Sequence, residues 1–269
     1  MDQNNPTHYY LIYDFETGGF DAKKNAAAEI AMIAVRADNF EEIGRISEFI
    51  HPYNKKGDNI DYDLNDHLIL KIETKDELKK EKQEFNSFIE SMYDFTYTEG
   101  SKQVHQIPNS DILLGINIKS LVSQIIELAN VAKVNNTSGK AILVAHNADF
   151  DRNFMQQLFE ITGNSKEMPK IFAGKEDYYG NFQPHCIDTI DIARLLWHSN
   201  EDEIANYKQS TCIQKAGLDL VGAHKAINDT LGLKDLLLYF KKCIRSSQNN
   251  TLQSEEKRFR DDFKISFEY

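Results

Sequence analysis

The chain has 269 residues, 41% of them hydrophobic, which is enough for one sizeable core. A net charge of −11 argues against binding nucleic acid through a broad basic face and leaves any phosphate contact to metal ions and a few local cations. No apolar run approaches the ~20 residues of a membrane helix, the N-terminus carries no secretory signal pattern, and three cysteines without a C-x-x-C pair read as reduced thiols, so the expected setting is intracellular and cytoplasmic, with no membrane partner.

In chain order, His8–Phe15 (HYYLIYDF) is aromatic and β-branched and reads as a strand. Glu29–Ala37 (EIAMIAVRA) and Arg45–His51 (RISEFIH) read as the next two, and their short connections predict an antiparallel start. Residues 52–110 break this rhythm. They include the charge-dense run Lys71–Glu84, followed by Phe85, Phe88 and Met92, which with Leu78 have helical spacing; this reads as an inserted helix with flexible flanks, packed on the main body or clamping a substrate.

Asn117–Lys133 is an amphipathic helix with Leu121, Ile125, Leu128 and Ala129 on one side. Lys140–Asn147 (KAILVAHN) reads as a buried strand and Asp149–Thr162 as the helix after it. A long polar stretch with Tyr178, Tyr179 and Phe182 leads to a short strand and helix over Cys186–Trp197 (CIDTIDIARLLW). His224–Ile244 is the last long helix, Arg245–Glu256 reads as a linker, and the tail Phe263–Tyr269 alternates as a strand would. Strands first and alternating helices afterwards predict an α/β fold on a mixed sheet. The expected layout is one unit over 1–245, with the insertion near 52–110, then a linker and tail over 246–269.

Three polar clusters sit where these elements end. Asp14 and Glu16 are two apart on a strand, so they share a face. Two close anions repel and tend to hold protons unless a cation joins them, and oxygen ligands suit Mg²⁺ or Mn²⁺. The second cluster, AHNADFD (Ala145–Asp151), lies at a strand-to-helix turn, where open α/β sheets place ligands. Helix capping accounts for one of His146, Asn147, Asp149 and Asp151, not for all four. The third, GAHKAIND (Gly222–Asp229), puts His224 at a helix start with Asp229 about one and a half turns on.

Together, D-x-E on the first strand, H-N-A-x-F-D after a later strand and H-x-A-x-x-D on the last helix resemble the DEDDh family of 3′-to-5′ exonucleases, from about Tyr9 to Leu238. The resemblance implies a ribonuclease H-like fold and two divalent ions, Mg²⁺ or Mn²⁺. Asp14, Glu16, Asp151 and Asp229 would hold them, with Asp14 bridging and His224 as general base. It implies substrate contacts at Thr17, Gly18, Phe20, His146 and Asn147. Gly18 stands where the family often has a second threonine, its N–H expected to reach the terminal nucleotide. Gly18 and Gly19 are expected to let that nucleotide approach the backbone. Phe20 either wedges against the last base or packs in the core. Asp149 is expected in solvent or capping the helix. The implied activity is release of nucleoside 5′-monophosphates from 3′ ends of single-stranded DNA. Alternatives are an exoribonuclease similar to RNase T or oligoribonuclease, and a proofreading subunit that meets a polymerase or replication protein through its C-terminal tail.

Overall fold

The structure, a computed structural model, describes residues 8–60, 72–73, 95–134, 139–198, 204–219, 222 and 225–262. The strands described are β1 (Tyr9–Thr17), β2 (Ala27–Arg36), β3 (Glu42–Phe49), β4 (Ile72–Glu73), β5 (Tyr97–Thr98), β6 (Ile142–Ala145), β7 (Gly174–Glu176), β8 (Phe182–Pro184) and β9 (Cys186–Asp188). The helices are α1 (Glu99–His105), α2 (Asn109–Leu113), α3 (Ile118–Val134), α4 (Ala148–Ile161), α5 (Met168–Ile171), α6 (Thr189–Trp197), α7 (Gln209–Lys215) and α8 (Ala226–Asp262).

Five strands form the central sheet in the order β3-β2-β1-β6-β9. The β1–β2 and β2–β3 pairs are antiparallel, and β6 and β9 add in parallel, so the sheet is mixed as expected. Strand periodicity assigns β1 to two cores at once. Tyr9, Leu11, Tyr13 and Phe15 pack with Leu121, Val122 and Ile125 of α3 and Phe154, Met155 and Leu158 of α4. Ile12 faces the other way, onto Leu233 and Leu237 of α8. Asp14 and Glu16 continue the Ile12 row, so they emerge on the α8 face at the strand's C-terminal end.

The polar stretch before β9 is more ordered than its composition implies. It holds α5 and the β7–β8 hairpin, whose turn is closed by Asp177 accepting from the Tyr179 and Asn181 N–H groups at 2.9 and 2.8 Å. Arg245–Glu256, expected as a linker, instead continues α8, which runs to Asp262. The stretch has no glycine or proline, and polarity marks exposure rather than a helix stop. Of the expected insertion helix only Ile72–Glu73 is described, as a short strand on β5; Leu78, Phe85, Phe88 and Met92 lie outside the described residues, as does the tail Phe263–Tyr269. Among the described residues, no helix is long and apolar enough to cross a membrane.

Candidate metal centre

The carboxylates of Asp14 and Glu16 from β1 and Asp229 from α8 present oxygens that all lie within 4.8 Å of one another. Asp229 reaches the cluster because α8 packs its Leu233 and Leu237 against Ile12 on the same sheet face. Asp151 arrives from the first turn of α4. The last β1–β6 pair is Ile12 with Val144, so the backbone beyond it has no strand partner there. Asp151 supplies one: the Phe15 N–H donates to its Oδ1 at 3.1 Å, and the side chain is buried.

The electrostatics are those of anions crowded in a low-dielectric place. Asp14 is pushed up to about 8, first by burial, then by Asp229 and Glu29. Glu16 is pushed up to about 9 by burial, then by Asp14, Asp229 and Glu29. Burial, followed by the charge of Asp14, holds Asp151 well above the usual carboxylate range, against the pull of the Phe15 N–H. This set of converging oxygens fits hard divalent cations, which relieve the repulsion that otherwise favours protonation.

A further acid, Glu29, was not among the expected site residues. It pairs across the strands with Glu16, is 5% exposed, and accepts the Ala226 N–H on Oε2 at 3.3 Å. A single charge inside the apolar run AAAEIAMIAV was its sequence signal. Asp188 was also missed. At the end of β9 it accepts from the Asn147 N–H (3.1 Å), the Ala148 N–H (2.9 Å) and the Ile190 N–H (2.8 Å), capping α4 and α6 together. Aspartate at a strand-to-helix junction is a capping signal, but its second helix is distant in sequence.

The second cluster therefore resolves into different tasks. Asn147 is exposed, left-handed at φ 64°, and makes no side-chain cap. His146 Nε2 meets the Tyr207 carbonyl at 2.8 Å and Nδ1 meets Thr189 Oγ1 at 2.8 Å. A carbonyl only accepts, so Nε2 carries the proton, and burial keeps the ring's pKa low. Both ring nitrogens thus hold protein groups. Asp149 is exposed and pairs with Arg152 at 2.8 Å, in agreement with its expected place in solvent.

The glycines also have another cause than the one expected. The Gly18 N–H, expected at the nucleotide, donates to the Ala26 carbonyl at 2.7 Å. A Cβ on Gly18 would lie 2.5 Å from the Thr96 carbonyl, and one on Gly19 would lie 2.6 Å from the Asn25 side chain. The close approach is made by the chain itself. Asn25 Nδ2 donates to Thr96 Oγ1 at 3.0 Å, Gln157 Nε2 donates to the Asn25 carbonyl at 2.8 Å, and the Tyr53 hydroxyl donates to Gln157 Oε1 at 2.7 Å. Thr17 spends its hydroxyl on the Gly19 carbonyl at 2.8 Å. Phe20 is 93% exposed, which excludes core packing; its ring stands 6.3 Å from Phe150. His224 lies outside the described residues, just before Lys225 and Ala226.

No family model matches the chain. It is 24% identical over 228 residues to DNA polymerase III PolC-type of Halalkalibacterium halodurans, which covers 85% of this chain and 11% of that protein. It is 30% identical over 126 residues to DNA polymerase III PolC-type of Oceanobacillus iheyensis, 46% of this chain and 8% of that protein. The chain thus spans about a tenth of the length of these curated relatives. Escherichia coli exonuclease I in complex with a dT13 oligonucleotide superposes with a TM-score of 0.57 at 15% identity, over 92% of this chain and 44% of that one. The zinc-bound form of the same enzyme with single-stranded DNA gives 0.57 at 15% identity, over 87% of this chain and 40% of that one. The chain has the fold of exonuclease I, a ribonuclease H-like mixed sheet between helices, and its sequence carries, in order, the three motifs that resemble those of the DEDDh family.

Proposed function

We propose that the chain is a metal-dependent 3′-to-5′ exonuclease that releases nucleoside 5′-monophosphates from single-stranded DNA inside the cell. The observation that carries this reading is the convergence of Asp14, Glu16 and Asp229 within 4.8 Å, with buried Asp151 beside them, on the exonuclease I fold. Asp14, Glu16, Asp151 and Asp229 would hold two ions, Mg²⁺ or Mn²⁺. Such ions, when bound, supply an activated hydroxide and relieve charge on the leaving oxygen.

The chain's own groups do the rest. The acids, protonated near neutral pH while no cation is present, give up their protons on loading. His224 takes the proton of the attacking water. Phe20, exposed beside Phe150, offers a face on which the terminal base stacks. His146 ties the Tyr207 segment to the start of α6 through its two ring nitrogens, and Thr17 and Gly18 shape the turn that presents Phe20. The exonuclease I complexes with DNA oligonucleotides favour DNA over RNA as substrate. Similarity to PolC-type polymerases supports a second reading, that the nuclease works beside a polymerase. An exonuclease I complex named for SSB-Ct, at a TM-score of 0.53, supports contact with a replication protein, for which the tail Phe263–Tyr269 is the proposed element.

The test is a set of matched DNA and RNA strands labelled at the 5′ or 3′ end, incubated with Mg²⁺ or EDTA. The expected result is a ladder of 5′-labelled DNA shortened from its 3′ end in Mg²⁺ and intact strands in EDTA. Asp14→Ala should lose about 10³-fold in rate, the scale of several kcal/mol of charge stabilisation. Undiminished activity in EDTA, or shortening from the 5′ end, overturns the reading.

A further inference from the structure

We infer that Glu29 is a positioning residue, which holds the start of α8 against β2, beside the metal strand, and thereby sets Asp229 relative to Asp14 and Glu16; the inference rests on the reading above. Three observations carry it. First, the register pairs Glu29 with Glu16 and Ala31 with Asp14, so Glu29 stands on the same face as the site acids, one strand over. Second, a carboxylate only 5% exposed in a strand otherwise apolar up to Val35 is costly, and it contacts a particular partner, the Ala226 N–H at 3.3 Å. Ala226 opens α8, where backbone N–H groups lack helical acceptors, and Glu29 satisfies one of them.

Third, β2 makes a second stitch one turn on. Buried Thr230 donates through Oγ1 to the Ala31 carbonyl at 3.4 Å. The two contacts bracket Asp229, and His224 lies two residues before Ala226. Lys225, between them, is a cation close enough to Glu29 to be felt by it. Glu29 and Ala31 of β2 therefore fasten the first turn of α8 on both sides of Asp229. In this role the carboxylate acts as a hydrogen-bond acceptor and touches neither metal nor substrate.

Glu29→Ala and Glu29→Gln separate this from a general effect of charge, because the Gln side chain keeps an acceptor for the Ala226 N–H. Expected is a fall in kcat of about 10–100-fold for Glu29→Ala at unchanged KM, the usual size of losing a supporting contact. Glu29→Gln should stay within about threefold of the parent. Hydrogen exchange of the 225–230 amides, measured without metal, should quicken in Glu29→Ala and not in Glu29→Gln. Parent-like kcat in Glu29→Ala, Glu29→Gln as impaired as Glu29→Ala, or unchanged exchange in both overturns the inference. Should Glu29→Ala not fold, a folded Glu29→Gln decides alone: parent-like exchange and kcat sustain the role, and a tenfold loss in kcat ends it. The exchange result is independent of DNA hydrolysis. If the parent protein leaves DNA intact in Mg²⁺, the nuclease reading has failed, and the exchange data still judge the contact.

Discussion

At the scale of single residues the site is a store of repulsion. Asp14 at about 8 and Glu16 at about 9 are carboxyls that the folded chain keeps protonated where the unfolded chain, near 4, has already released them. The folded state then binds more protons than the unfolded state, so stability falls as pH rises from about 4 towards 9. Thermal melts in EDTA should therefore show the melting temperature dropping between pH 5.5 and 8.5, with Mg²⁺ recovering most of the loss at pH 8.5. Asp14→Asn, which removes one of the charges, should melt about 2–4 °C above the parent at pH 8.5 in EDTA, the equivalent of ~1 kcal/mol, and respond little to Mg²⁺. A melting temperature that is flat or rises over this range contradicts the crowding of the acids.

At the scale of elements, one side chain organises two helices. Asp188 receives N–H groups from the starts of both α4 and α6, and α4 delivers Asp151. A lost cap costs ~1 kcal/mol per helix, so Asp188→Ala should lower unfolding stability by about 2 kcal/mol in urea titrations. Its metal affinity should fall by about tenfold, since the start of α4 is released. A stability loss below ~0.5 kcal/mol would place the cap elsewhere. The glycine pair teaches the complementary lesson. Glycines beside a candidate site invite the idea that a ligand comes close, whereas here Thr96, Tyr97 and Asn25 occupy the space.

At the scale of the whole molecule, a mixed sheet covered on both faces brings residues from four distant stretches to one strand end. Helix α8 runs past this assembly. Its buried residues, among those described, end at Phe240. A chain ending at Arg245 should accordingly keep its melting temperature within about 2 °C of the full chain and keep the proposed nuclease activity. A larger fall, or loss of hydrolysis, would join 246–262 to the folded unit. The five strands of the central sheet, α3, α4 and α6 were legible because each carries a period or a capping residue that survives in one dimension. The length of α8 was not, because a polar sequence without helix breakers is equally compatible with a linker and with an exposed helix.

The central sheet's apolar strands, the helix faces, and the three acidic motifs with their order follow from residue type and local spacing. Tertiary structure alone decided which acids meet. Asp151 became a partner of β1 because β6 stops short, and Glu29 joined the site because the antiparallel register sets it beside Glu16. It also gave the Gly18 N–H and both His146 ring nitrogens partners within the chain. Hydrogen-bond satisfaction across residues far apart in sequence made those choices, and no local pattern encodes it.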